Sequence, residues 1–325
     1  MPAVTVDDTL TLPRLPEVPA ESRARPVSDV VTAHAATEGA GFEIRRPFPG
    51  GVDLVVADPF LLLDHIGPKV LGAREPKGAP WHPHRGFETV TYVLDGELAH
   101  QDTNGGGGVI SEGDTQWMTA GGGIMHDELP TESFWRSGGA MHAVQLWVNL
   151  PPALKMTDPR YQAITAGDLL LLTTSDGGAL IRLVAGSIAG HDGPGATHTP
   201  ITYAHVTLAP GARLEVPWTP EFNALVYGLT GRGSVGEERV PLEGGRLAML
   251  GDGDHVDGDH VTVTADAGDT LDVLLLGGLP IRAPIATYGP FVMNTRAEIA
   301  QAFEDYQAGR LGVIPAGETG PRSYR

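Results

Sequence analysis

Trp81-His82-Pro83-His84-Arg85-Gly86-Phe87-Glu88 runs straight into Thr89-Val90-Thr91-Tyr92-Val93-Leu94-Asp95-Gly96, a His-x-His pair followed by a β-branched and aromatic run that closes on a glycine turn. In an extended strand, side chains at i and i+2 leave the same face with Cα atoms about 6 to 7 Å apart, so His82 and His84 can converge on one ion. Further along, Gly121-Gly122-Gly123-Ile124-Met125-His126-Asp127-Glu128 carries a second pair of the same spacing, His126 and Glu128. Two such pairs on neighbouring strands of one barrel make a three-imidazole, one-carboxylate set, which suits Fe, Ni, Cu, Zn or Mn better than a hard cation such as Ca. Four protein ligands leave room in an octahedral shell for water or a substrate. A single His-x-His reads as well as two structural histidines; the second pair is what turns the argument. Positions 82, 84 and 88 share parity, so spacing alone leaves Glu88 and Glu128 both open as the carboxylate.

Outward from this stretch the chain keeps the same rhythm. Phe60-Leu61-Leu62-Leu63, Val144-Gln145-Leu146-Trp147-Val148 and Asp53-Leu54-Val55-Val56 are short apolar runs between turn signals and read as strands. Thr91-Tyr92-Val93-Leu94-Asp95-Gly96 recurs as Val226-Tyr227-Gly228-Leu229-Thr230-Gly231, 135 residues later. Each copy precedes a second turn and a methionine-bearing strand, Gly113-Asp114-Thr115-Gln116-Trp117-Met118 and Gly244-Gly245-Arg246-Leu247-Ala248-Met249. A repeat of this length implies two similar β domains, as does a chain of 325 residues, which divides into units of roughly 100 to 150. Gly (44) and Pro (27) fill more than a fifth of it, the punctuation of many short strands. The expected division is an extension over residues 1–28, a first domain over 29–165 carrying the site, and a second over 166–325 without it. The extension mixes Pro, Glu and Arg with no period and is expected to be loose and without catalytic role. One helix is predicted near the end, with Thr295 and Glu298 as a capping box, Ile299, Phe303 and Tyr306 on one face and Gly309 as the stop.

Charge and composition remove several function classes. With 40 acidic against 22 basic side chains and a formal charge of -18, the field repels phosphate backbones and anionic lipid, so neither nucleic acid nor membrane is an expected partner. The absence of cysteine removes disulfides, thiolate metal sites and cysteine nucleophiles. No apolar stretch reaches membrane-spanning length and the first residues lack a signal-peptide core, so a cytoplasmic setting is expected.

Other residues are read more plainly. His65, His100 and His142 lie beside predicted strands and are expected to be hydrogen-bonded structural histidines. Gly105 to Gly108 read as a hairpin tip, since no helix or Lys-Ser/Thr follows to make a phosphate cradle. Trp117 and Trp147 are expected core aromatics that can line a pocket. Applying the 135-residue offset puts Pro217 and Thr219 where His82 and His84 stand, so the second copy lacks the pair. His255 and His260 fall in a Gly/Asp-rich run read as turn. Loops such as 67–80 are expected to shape any pocket.

HPHRGFETV, GDTQWMTAGGGIMHDE, QLWVNLP and YGPFVMNTRAEIAQAFEDYQAGRLG resemble the pirin family of bicupins, and the similarity runs from about residue 29 to 315. The resemblance implies an all-β chain of two cupin-type β-barrels with a short C-terminal helix. It implies metal ligands at His82, His84, His126 and Glu128, leaving Glu88 near the site, and iron, most readily Fe(II), as the ion. Asp127 departs from the small residue common between the last two ligands; its side chain is expected to point away. Pirin relatives include quercetin 2,3-dioxygenases, so the resemblance implies a flavonol or related phenolic or enolic substrate cleaved with O2, with Glu128 accepting the hydroxyl proton. It equally implies an alternative, a non-enzymatic iron-dependent regulator that binds a transcription factor or metabolic enzyme. A monomer is the family default, although an exposed edge strand can pair.

Overall fold

The computed structural model describes residues 4–251 and 258–315. Its strands form two barrels of the same plan, each a seven-stranded sheet facing a four-stranded one. In the first barrel the large sheet runs in the order Arg160–Ile164, Thr115–Thr119, Phe87–Asp95, Gly139–Asn149, Phe60–Leu71, Phe42–Arg46, His34–Glu38. The small sheet runs Ala79–His84, Ile124–Pro130, Leu98–Asp102, Gly107–Ile110. In the second barrel, the strands Arg246–Leu250, Ala224–Thr230, Leu271–Gly278 and Ile201–Leu208 repeat the central part of that order. The repeated turns therefore mark equivalent strands, Phe87–Asp95 and Ala224–Thr230.

The two large sheets pack face to face, and their shared core contains Trp117, Tyr92, Leu146, Tyr203, Tyr227 and Leu274. The repeat makes this interface reciprocal. Tyr92 of the first barrel reaches His205 Nδ1 of the second at 2.9 Å, and Tyr227 of the second reaches His65 Nδ1 of the first at 3.1 Å. His205 then faces Asp272 at 3.4 Å, whereas His65 pairs with His142 at 2.8 Å. A buried hydroxyl or imidazole without a partner costs about 1–3 kcal/mol, so these two chains fix how the barrels meet. His65 and His142 are thus structural, as expected.

The barrel interiors differ. The second is filled by aliphatic side chains such as Ile181, Val206, Leu214, Val226, Val263 and Val273. The first has an aliphatic cluster around Val93, Leu98, Ile110 and Met141, and beside it a cavity lined by Leu98 and by polar side chains such as His82, His84 and Glu128. The polar side chains of the first barrel's interior are therefore the ones that can form a site.

Asp53-Leu54-Val55-Val56 is not a strand: Asp53 accepts the Val55 N–H at 2.9 Å and caps a one-turn helix, Leu54–Ala57. A second short helix, Glu132–Ser137, follows an N-cap at Thr131 that the apolar pattern did not reveal. The segment expected to be a loose extension lies against the second barrel. There Leu15 N–H donates to Thr173 O at 2.8 Å, and the fully buried Arg25 donates to the carbonyls of Phe222 (2.6 Å) and Thr219 (2.8 Å). A proline-rich strap docks through backbone groups and a few anchors, which leaves no periodicity to read. Val27–Thr32 then pairs with Arg246–Leu250, so the second barrel's sheet begins before the first barrel does.

The C-terminal helix, Arg296–Gln307, has the reciprocal Thr295/Glu298 capping box, buries Ile299 and Ala302, and ends before Gly309 at φ 71°. It packs on the first barrel, where Arg85 donates to Asp305 at 2.7 Å.

Candidate metal centre

The strands Ala79–His84 and Ile124–Pro130 are antiparallel neighbours with His126 opposite His82. That register brings one ring nitrogen from each of His82, His84 and His126 within 4.8 Å of one another. The alternation predicted from the His-x-His spacing is therefore what assembles the trio. Glu128 stands one alternation beyond His126, and its carboxylate forms a second cluster of the same tightness with His126 and His100. Glu88 is in neither cluster. Gly86 turns the chain at φ 92° between the two strands and breaks the parity that 82, 84 and 88 share in sequence. Glu88 instead accepts from Thr119 Oγ1 at 2.7 Å.

The ring orientations are set by partners outside the cluster. His82 Nδ1–H donates to Pro80 O at 2.8 Å and His84 Nδ1–H to Pro290 O at 3.2 Å. Each leaves Nε2 for the centre. His126 has Nδ1 3.3 Å from His100 Nδ1, and its Nε2 is buried with no protein partner. Burial pushes His84 and His126 well below the ordinary imidazole range, helped by the neighbouring imidazoles, and burial lowers His82 as well. Neutral imidazoles that present bare nitrogens to one point, one of them otherwise orphaned, fit a metal ion. The carboxylate is held as firmly: Glu128 Oε1 accepts from Thr91 at 2.9 Å and from Gln116, and Oε2 from Gln145 at 2.8 Å.

A cavity of about 670 Å³ opens on His82, His84 and Glu128. Trp147 lines it and packs edge-on against His84, ring centroids 5.2 Å apart. Of the stretch 67–80, only Ala79 and Pro80 reach the cavity; Thr287, Gly289, Pro290 and Val292 from the far end of the chain line it instead. The Arg46–Asp64 ion pair, at 2.6 Å, also lines it. Trp117 is fully buried core. In the second barrel the strand Arg213–Pro217 carries no histidine; His260, expected in a turn, is instead buried at the start of the strand His260–Ala265, and His255 lies outside the described residues.

His100 is buried and hydrogen-bonded to Asp102 and His126, the structural histidine expected, but its place beside the trio was not expected. His100-Gln101-Asp102 has the same i, i+2 spacing as the two recognised pairs, and its strand lies beside Ile124–Pro130 with His126 opposite Asp102.

Two barrels of one plan, with a histidine and carboxylate cluster in the first, define a bicupin with a candidate metal centre. Two family models match the chain, Pirin over residues 41–148 and the Pirin C-terminal cupin domain over 203–312. The chain belongs to the pirin family. It is 41% identical to a Pseudomonas aeruginosa protein whose name provisionally assigns it as a quercetin 2,3-dioxygenase, over 84% of this chain and 93% of that one. It is 36% identical to Homo sapiens pirin, over 87% of this chain and 92% of that one. Among solved structures, a quercetin 2,3-dioxygenase from Acinetobacter baumannii superposes with a TM-score of 0.83 at 37% identity, covering 90% of this chain and all of that one. Among the described residues no helix is long and apolar enough to cross a membrane.

Proposed function

We propose that His82, His84, His126 and Glu128 hold one divalent transition-metal ion, most readily Fe(II), and that the chain is a dioxygenase cleaving a flavonol or related enol with O2. The observation that carries this reading is the cavity of about 670 Å³ opening directly on the ligand set. Volumes of this order suit a small organic ligand, whereas a regulator that only senses iron needs no such space beside its ion.

When bound, the ion supplies a Lewis-acid, one-electron centre with open positions. The protein's own groups do the rest. Leu61, Leu62 and Val292 line the apolar wall of the cavity and exclude water, and Trp147 presents an aromatic surface to a planar substrate. Glu128 is placed to accept the substrate's hydroxyl proton, with Gln116, Gln145 and Thr91 fixing its orientation.

The test is anaerobic reconstitution with ferrous iron, metal quantification, and oxygen uptake with quercetin, beside a His82→Ala/His84→Ala double variant. One ion per chain with turnover lost in the variant supports the reading. Metal binding without turnover over a panel of phenols and enols shifts it to the regulator, and no metal binding removes the ligand assignment.

A further inference from the structure

We infer that His100 is a positioning residue of the metal centre, the middle of a relay Asp102–His100–His126 that dictates which nitrogen of His126 faces the ion. This rests on the reading that His126 is a ligand.

Asp102 is the fixed end of the relay. Its Oδ1 accepts the backbone N–H groups of Asn104 at 2.8 Å and Gly106 at 2.9 Å, which fixes the carboxylate. Its Oδ2 faces His100 Nε2 at 3.3 Å. A carboxylate only accepts, so His100 must carry its hydrogen on Nε2 and present a lone pair at Nδ1. That lone pair faces His126 Nδ1 at 3.3 Å, which must therefore carry the hydrogen. His126 Nε2 is left bare, and it is the buried nitrogen without a protein partner. The tautomer needed for ligation is thus set two residues away.

The arrangement differs at the other two histidines. His82 and His84 lean on backbone carbonyls, which can only accept and so fix the tautomer unaided. An imidazole partner can donate or accept, so His126 is defined only because Asp102 defines His100. Asp102, His100 and His126 are all buried, which strengthens each link. Tyr161 stacks on the His100 ring, centroids 4.9 Å apart at 18°, and holds its plane.

Asp102→Asn tests the relay. The amide oxygen stays with the two backbone N–H groups, so the NH2 turns to His100 Nε2 and donates. His100 then carries its hydrogen on Nδ1, and His126 must accept there and move its own hydrogen to Nε2. Two measurements read this: nitrogen-15 spectra of the metal-free protein report the His126 tautomer, and calorimetric titration with Ni²⁺ reports affinity. The expected results are an Nδ1–H His126 in wild type, an Nε2–H His126 in the variant, and a Ni²⁺ affinity weaker by about 10–100-fold. Asp102→Glu, which restores an acceptor, should recover part of it. Unchanged Ni²⁺ affinity in Asp102→Asn overturns the relay, as does an Nε2–H His126 in the wild-type protein, which needs no variant to fold. The His82→Ala/His84→Ala variant separates the two claims. If it still binds Ni²⁺, the ion sits on His100, His126 and Glu128, His100 is itself a ligand, and the ligand assignment fails with the relay.

Discussion

Acid should weaken the fold in part through two histidines buried at the junction between the barrels, His142 and His205. Burial pushes His142 and His205 down to about 4, with His205 adding to the effect on His142. Both are neutral in the fold at pH 7 and stay so to about 4, whereas in the unfolded chain each takes up a proton near the ordinary value of about 6.5. The unfolded state binds more protons throughout that window, so stability is complete above about pH 6.5 and falls as pH drops. Each histidine loses about 1.4 kcal/mol per pH unit within the window, or about 2 kcal/mol between pH 7 and pH 5. The pair together loses about 4 kcal/mol, a large share of an ordinary domain's stability. Asp272 does not offset this: burial alone would raise it, but His205, Thr207 and Thr230 hold it to about 2, so it stays ionised across the window.

The assay is urea unfolding at pH 7 and pH 5 for wild type and His205→Gln. Glutamine can still accept from Tyr92 and donate to Asp272, but it does not titrate. The variant removes the share of His205 and relieves part of the shift that His205 imposes on His142, so it should lose at least about 2 kcal/mol less than wild type on acidification. An equal loss in both would refute the claim that His205 is held neutral by burial.

Three further outcomes follow from the site and its supports. Gly86→Ala should destabilise by at least about 1–3 kcal/mol in urea unfolding, because φ is 92° and a Cβ would meet Val292 O at 1.9 Å; wild-type stability would contradict this geometry. Lys155→Met removes the donor to Gly86 O (2.8 Å), Asn149 Oδ1 (2.5 Å) and Val292 O (2.9 Å). Each buried acceptor left bare costs about 1–3 kcal/mol, so a fall in melting temperature of several degrees is expected. Ni²⁺ at about 100 times its Kd should stabilise the protein by about 2.7 kcal/mol, and a chelator should reverse it; the His82→Ala/His84→Ala variant should show no such response.

The histidine trio was legible because a period of two projects directly onto a strand, and both His-x-His and His-x-Glu lie within single strands; the two domains were legible from the 135-residue repeat, and their cupin form from the resemblance to pirins. Legibility ended where the chain leaves that period. Glu88 kept the parity of His82 and His84 on paper, but Gly86 resets the face between them. The Arg25 strap is held mostly by backbone groups, which have no side-chain signature. His100 is the hydrogen-bonded structural histidine its strand suggests, but its link to Asp102 and His126 is not legible, because an aspartate two residues from a histidine signals nothing until a third group is known to lie opposite.

The least legible contribution is that of the second half of the chain to the site in the first. Its barrel is packed with aliphatic side chains and its strand Arg213–Pro217 offers no histidine, so by composition it looks like a spare copy. Yet the stretch after its last barrel strand returns to the first barrel. Pro290 supplies the carbonyl that orients His84, and Val292 O takes the Lys155 ammonium that also binds Gly86 O, next to the turn that separates His84 from Glu88. Thr287 and Gly289 line the cavity, and Asp305 anchors the following helix on Arg85, the residue after His84. The reciprocal Tyr–His contacts set where this tail departs, because they fix one barrel against the other. The repeat has therefore divided its labour: one barrel holds the candidate ligands, and the other, with its core closed, serves as the rigid base from which a wall of the cavity and the support of His84 are delivered.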